Sequence, residues 1–217
     1  MAASAGTSTA GCTYFPDDAD ATSMESGRAR AVAGTALVGG GVLTVLGFVT
    51  AEVFYPGYSA ADQTISALGA AGAPPASQAV FNATMVVAGL LVVFATFALR
   101  EVYDRPLFPG IFAVAGVGVV GVGVFPSQTG APHFVAATVA FAGLGLSALA
   151  GAATVRGPLR YVSIVLGVAE LVAFVAFVSL GGGTPLGIGG LERWVAYLGL
   201  AWVLAFGGYL LGGLDSR

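Results

Sequence analysis

Apolar residues fall in six long blocks along the chain, at approximately 31–54, 76–99, 107–125, 134–155, 161–180 and 191–211, and polar residues gather between them. Each block is close to the ~20 residues that cross a hydrocarbon core about 30 Å thick. Within lipid no water satisfies backbone N–H and C=O groups, so a spanning segment closes its hydrogen bonds internally as a helix. The pattern predicts an all-α fold: a polytopic membrane protein with a six-helix transmembrane bundle over residues 28–217. The first block is read as a span and not a cleaved signal, because it is long and ends in Glu52 and Tyr55. Residues 1–27 have no apolar period and carry Pro16, Asp17, Asp18, Asp20 and Glu25. Such a segment has too little apolar surface to order itself, and a disordered acidic cytoplasmic tail is expected. Cys12 follows Ala-Gly as in a lipoprotein cleavage box, but without a preceding apolar run, so an inert cysteine is expected.

Composition narrows the function classes. The 217 residues are 57% hydrophobic and only 9% charged, against about 25% charged in a soluble domain. Mean hydropathy is +0.90. A soluble enzyme, a nucleic-acid binder with a basic face and a disulfide scaffold are excluded. All eight cations are Arg. With a sequence pI near 4.9 and acids outside the apolar blocks, this suits a salt-adapted, haloarchaeal source; GC-driven codon use is the alternative.

The Arg residues also orient the chain. If six helices alternate, Arg28, Arg30, Arg100, Arg105, Arg156, Arg160 and Arg217 share one side, and Arg193 alone lies on the other. Positive residues concentrate on the cytoplasmic side, so both termini are expected there, in a cell membrane. The segments 55–75, 126–133 and 181–190 then lie outside. Glycines inside the blocks, among them Gly116, Gly118, Gly143 and Gly145, are expected to let helices approach closely. They lack the strand–loop–helix setting of a phosphate loop.

Polar side chains favour the outer side. Helix one ends in Glu52 and leads through Tyr58 and Asp62 to Ser66; Asn82, His133, Glu192 and Arg193 lie near later helix starts. Around them runs Tyr-Pro-Gly-Tyr-Ser (55–59), Asp-Gln-Thr-Ile-Ser-Ala-Leu-Gly (62–69), Pro74-Pro75 and Phe81-Asn82. These motifs, with Val124-Phe125-Pro126, Pro132-His133 and Leu191-Glu192-Arg193, resemble the bacterial and archaeal membrane family called domain of unknown function 998, over nearly all of residues 31–211. That resemblance implies about six helices and supplies no reaction. More distantly, the Ile-Ser pattern is similar to the FRAG–DRAM–SFK membrane family, which includes proteins tied to GPI-lipid remodelling and autophagy. Its usual Asp after Ile-Ser is Ala67 here.

Candidate chemistry is sparse. One His and one Cys leave no zinc-like donor set, so neither a metal nor a cofactor is expected. Ser66, His133 and Asp62 are the residues from which a triad would be assembled, which only geometry decides. Glu170 lies about halfway along helix five, where an acid costs roughly 2.5–3.5 kcal/mol and marks function by default. It is either protonated and hydrogen-bonded, with Ser147 and Trp202 at similar depth, or it faces a wet cavity. Arg193 opens helix six, where the peptide dipoles favour negative charge, so it is expected to pair with Glu52 or Asp62 and close an outer cavity or meet an anionic headgroup. The candidate binding residues are therefore Glu52, Tyr58, Asp62, Ser66, Asn82, His133, Glu170 and Arg193. The leading expectation is an integral membrane protein that binds a membrane lipid or lipid headgroup on its outer side, in lipid remodelling. A small-solute or proton-coupled transporter using Glu170 and a structural or partner-binding subunit are the alternatives; oligomeric state stays open.

Overall fold

The computed structural model describes residues 18–213, with side chains from residue 24. Cys12 lies outside them. Six α-helices account for the fold: α1 (Asp18–Val53), α2 (Pro75–Arg100), α3 (Leu107–Val124), α4 (Ala131–Ala152), α5 (Pro158–Leu180) and α6 (Gly187–Gly212). All six contain a stretch long and apolar enough to cross a membrane. Short 3-10 turns at Ile65–Gly69 and Ser127–Thr129 interrupt two of the connections. Helix α1 reaches back over the acidic stretch to Asp18, so residues 18–27, expected as disordered tail, are helical; residues 1–17 lie outside the described residues.

Proline sets several helix starts. Pro75 and Pro158 sit at the first helical position of α2 and α5, and Pro132 at the second of α4. There the missing N–H costs nothing and the fixed φ suits the helix. The helices pack in chain order, each on its neighbours, and α6 closes the ring against α1. Helix α5 is the most peripheral, with only Ser163, Gly167 and Glu170 buried.

Lipid tails are as apolar as leucine, so helix association here rests on close packing. At the seam of α3 and α4, a Cβ built on Gly118 would meet the backbone of Ala140 and Ala136. At the seam of α2 and α3, one on Gly89 would meet the backbone of Val120 and Gly116. Toward one end of the bundle, Phe108, Phe112, Trp202 and Phe206 form an aromatic cluster, with Trp202 stacked on Phe206 at 5.3 Å. At the other, Phe48, Phe81, Met85, Ile65, Leu68, Ala136 and Ala140 pack together beneath the 54–74 loop.

That loop is folded onto the bundle. Ile65, Ser66, Leu68 and Gly69 are buried, as expected for apolar side chains that are costly to leave in water. Thr64 caps the turn by accepting from the Ala67 N–H at 3.2 Å, and Ser77 on α2 donates to the Leu68 carbonyl at 3.0 Å.

Candidate functional site

The first turns of α6 hold the loop through three residues. Gly189 donates its backbone N–H to the Ala61 carbonyl at 2.9 Å. Arg193 reaches back and spreads its guanidinium over the loop. One terminal nitrogen donates to the carbonyls of Ala60 (2.8 Å), Gly189 (3.1 Å) and Gln63 (3.4 Å). The other donates to Glu52 Oε1 (2.5 Å) and to the Tyr58 hydroxyl (2.8 Å). The guanidinium also lies over the Tyr58 ring, 5.4 Å from its centre. A planar fork of fixed donors is suited to this task, where the point charge of a lysine is not.

Glu192 points the other way, inward. It is buried, and its Oε2 accepts the backbone N–H groups of Ile65 and, at 3.4 Å, Ser66. These open the 3-10 turn and have no partner within it. Adjacent residues on α6 thus divide the work: Arg193 holds the outside of the loop and Glu192 its buried turn.

Tyr58 is set between. It accepts from Arg193 and donates to the Thr64 carbonyl at 2.8 Å. Burial raises its pKa above the ordinary value of 10.0, against the lowering effect of the Arg193 hydrogen bond and charge. A folded-state pKa above the unfolded one means stability is intact below about pH 10 and falls as pH rises through it. In melting curves from pH 8 to 11, Tyr58→Phe should flatten part of that alkaline loss; an unchanged slope would remove Tyr58 as its source.

Beneath the loop lies a cavity of about 90 Å³. Apolar side chains line it from Leu37 to Phe48 on α1, joined by Phe81, Met85 and Val92 on α2, Phe141 and Leu144 on α4, and Leu200 and Val203 on α6. Eleven helical residues separate Leu37 from Phe48, about 16 Å along the axis. The cavity is thus long and narrow. Its polar lining is concentrated at the loop end, in Ser66, His133 and Glu192, with Thr44 deeper. The Thr44 hydroxyl is spent on the Gly40 carbonyl at 2.8 Å. A cavity holds water only where several polar partners converge, so the deep part suits hydrocarbon.

A family model described as "Protein of unknown function (DUF998)" matches residues 38–209. The chain belongs to this family. No curated protein and no solved structure matches it.

In this DUF998 chain the candidate residues separate into three groups. Glu52, Tyr58 and Arg193 form the clamp. Ser66 and His133 reach the cavity. Asp62, Asn82 and Glu170 do neither. Asp62 does not take Arg193; it accepts from the Ser59 hydroxyl at 2.6 Å, a local contact three residues back. Asn82 donates to the Gly69 carbonyl at 3.2 Å and fastens the end of the 3-10 turn.

Glu170 lies on α5 against Gly199 of α6, with no exposed surface. Neither Ser147 nor Trp202 pairs with it. The Ser147 hydroxyl returns to its own helix at the Gly143 carbonyl (2.6 Å), the usual local alternative for serine in a helix. The Trp202 indole donates to Ser163 (3.0 Å). Both Glu170 oxygens are buried without a hydrogen-bond partner, and the residue is not part of the cavity lining. No hydrogen bond links Ser66, His133 and Asp62 into a triad. Ser66 Oγ donates to Thr64 Oγ1, His133 Nδ1 meets the Phe125 carbonyl, and Asp62 is held by Ser59.

Glu192 is the functional residue that sequence reasoning passed over. In the sequence its neighbour Arg193 stands out as the lone outer cation. The available signal was the adjacency itself: consecutive helical residues point about 100° apart, so an acid beside an outward Arg on an apolar helix faces the bundle.

Proposed function

We propose that this DUF998 protein binds a single-chain amphiphile, or one chain of a membrane lipid, with part of the chain in the interior cavity and the head under the 54–74 loop. The observation that carries the reading is the cavity itself, apolar along its length and polar at one end. An engineered apolar cavity of about 150 Å³ takes a benzene ring; at about 90 Å³ this one admits part of an aliphatic chain. The Arg distribution supports a loop end on the outer side of the cell membrane and both termini in the cytoplasm. A lipid drawn from the outer leaflet and held by its head is the substrate arrangement that lipid remodelling requires.

The test fills the cavity. Ala137 on α4 lines its loop half. Ala137→Phe should reduce saturable binding of a radiolabelled long-chain monoacylglycerol at least tenfold in nanodiscs, with the melting temperature retained. Equal binding by both proteins, or no saturable binding by the wild type, would sink the reading.

A second reading, small-solute or proton-coupled transport, draws support from Glu170, whose buried carboxyl has both oxygens unpartnered. Against it, Glu52 is engaged by Arg193, and among the described residues no second acid acts on Glu170 to continue a relay.

A further inference from the structure

We infer that the amphiphile's head is a hydrogen-bond donor, a hydroxyl or an amine, and not a phosphate or carboxylate. The inference rests on the amphiphile reading above and adds the chemical class of the head. Three side chains supply the polar end of the cavity, and each presents lone pairs while its hydrogens are spent on the protein.

Ser66 has one O–H, and it is taken up by the protein: its oxygen lies 3.1 Å from Thr64 Oγ1, and the hydroxyl is also a hydrogen-bond partner of the Glu192 side chain. Thr64 Oγ1 also takes the Ala67 N–H, at 3.2 Å. His133 Nδ1 is 2.7 Å from the Phe125 carbonyl oxygen. A carbonyl only accepts, so Nδ1 carries the ring proton, and Nε2 of the neutral ring is a bare acceptor. Glu192 gathers two backbone N–H groups on Oε2, which leaves Oε1 without a backbone donor. In its ionised form the group has no hydrogen to offer.

Arg193, the nearest cation, does not change this balance. Its terminal nitrogens are turned to Glu52, Tyr58, two loop carbonyls and the Gly189 carbonyl of its own helix, and it is not among the cavity-lining residues. A phosphate or carboxylate head would add further lone pairs and a negative charge beside Glu192, in a place where little water remains to separate them. An alcohol or amine brings the missing hydrogen. An ammonium adds a charge opposite to that of the Glu192 carboxylate.

The full chain in phosphatidylcholine nanodiscs is the system for the test, because that bulk lipid has no O–H or N–H at its head. Hexadecanol, hexadecylamine and palmitate share one chain and differ at the head. Equilibrium binding, corrected with empty nanodiscs, should show saturable hexadecanol and hexadecylamine and at least tenfold weaker palmitate. The balance between the first two identifies which donor the site takes. Glu192→Gln exchanges one acceptor for an N–H donor and should narrow the discrimination against palmitate to below threefold. His133→Ala, at a half-open position on α4, removes one acceptor without touching the loop turn and should weaken hexadecanol several-fold; it serves where the first variant fails to fold. Palmitate binding within threefold of hexadecanol in the wild type overturns the donor-head inference and leaves the amphiphile reading standing. Absence of saturable binding by all three probes overturns the amphiphile reading itself.

Discussion

Arg193→Ala is expected to loosen the whole 54–74 loop and to cost about 2–4 kcal/mol. The lower bound follows from what is lost: hydrogen bonds to two loop carbonyls, the Tyr58 hydroxyl and Glu52, besides one to the Gly189 carbonyl of its own helix. Breaking a fully buried ion pair costs roughly 3–5 kcal/mol, largely because the abandoned partner keeps its desolvation penalty. Here the Glu52 side chain retains 31% of its surface and Arg193 14%, so water and local relaxation recover part of that cost. Arg193→Lys should fall between, since an ammonium can meet Glu52 but cannot also span the carbonyls. Chemical unfolding in mixed micelles measures the loss, and amide exchange across residues 58–69 locates it. A change below about 0.5 kcal/mol, the range of an exposed salt bridge, would mean that the clamp is decorative.

The second large effect is expected at Gly118. Leucine there should separate α3 from α4 and cost about 3 kcal/mol or more, at or beyond the upper end of ordinary overpacking. The added Cβ would stand 2.5 Å from the Ala140 nitrogen and 3.0 Å from the Ala136 oxygen. Both are helix backbone and cannot rotate aside, so the helices themselves must move apart. The same seam holds Gly143 against Ala115 and Gly121 against Ala136, and these contacts would open together. Gly39 is the internal control. Nothing lies within 4 Å of a Cβ built there, and Gly39→Leu should be neutral or gain up to about 1 kcal/mol from helix propensity. Equal losses at the two sites would show that Gly is needed for something other than close approach.

Much of the bundle was legible in the linear pattern because each helix answers a local demand. A block of about twenty apolar residues in lipid has one way to satisfy its own backbone, so the six spans lie within a few residues of the observed helices. The α1 start is the exception. Asp18–Gly27 has no apolar period, yet it continues a helix already nucleated by the span, and elongation is far easier than nucleation.

The site was only partly legible, for the opposite reason. That Arg193 needs an anion follows from its place at a helix start. The choice of Glu52 over Asp62 does not, because Asp62 sits three residues from Ser59 and satisfies itself locally. Depth alone suggested Ser147 and Trp202 beside Glu170, but depth says nothing of azimuth, and only the packing of α5 on α6 sets Glu170 against Gly199.

The sequence by itself determined the six membrane-spanning helices and the need of Arg193 for a partner. Each depends on a residue's own chemistry and its position along one helix. The tertiary structure alone decided which loop N–H groups Glu192 takes, the cavity it caps and the isolation of Glu170. These depend on which faces of different helices meet. In a Gly-rich membrane bundle that is a question of shape, on which hydropathy is silent.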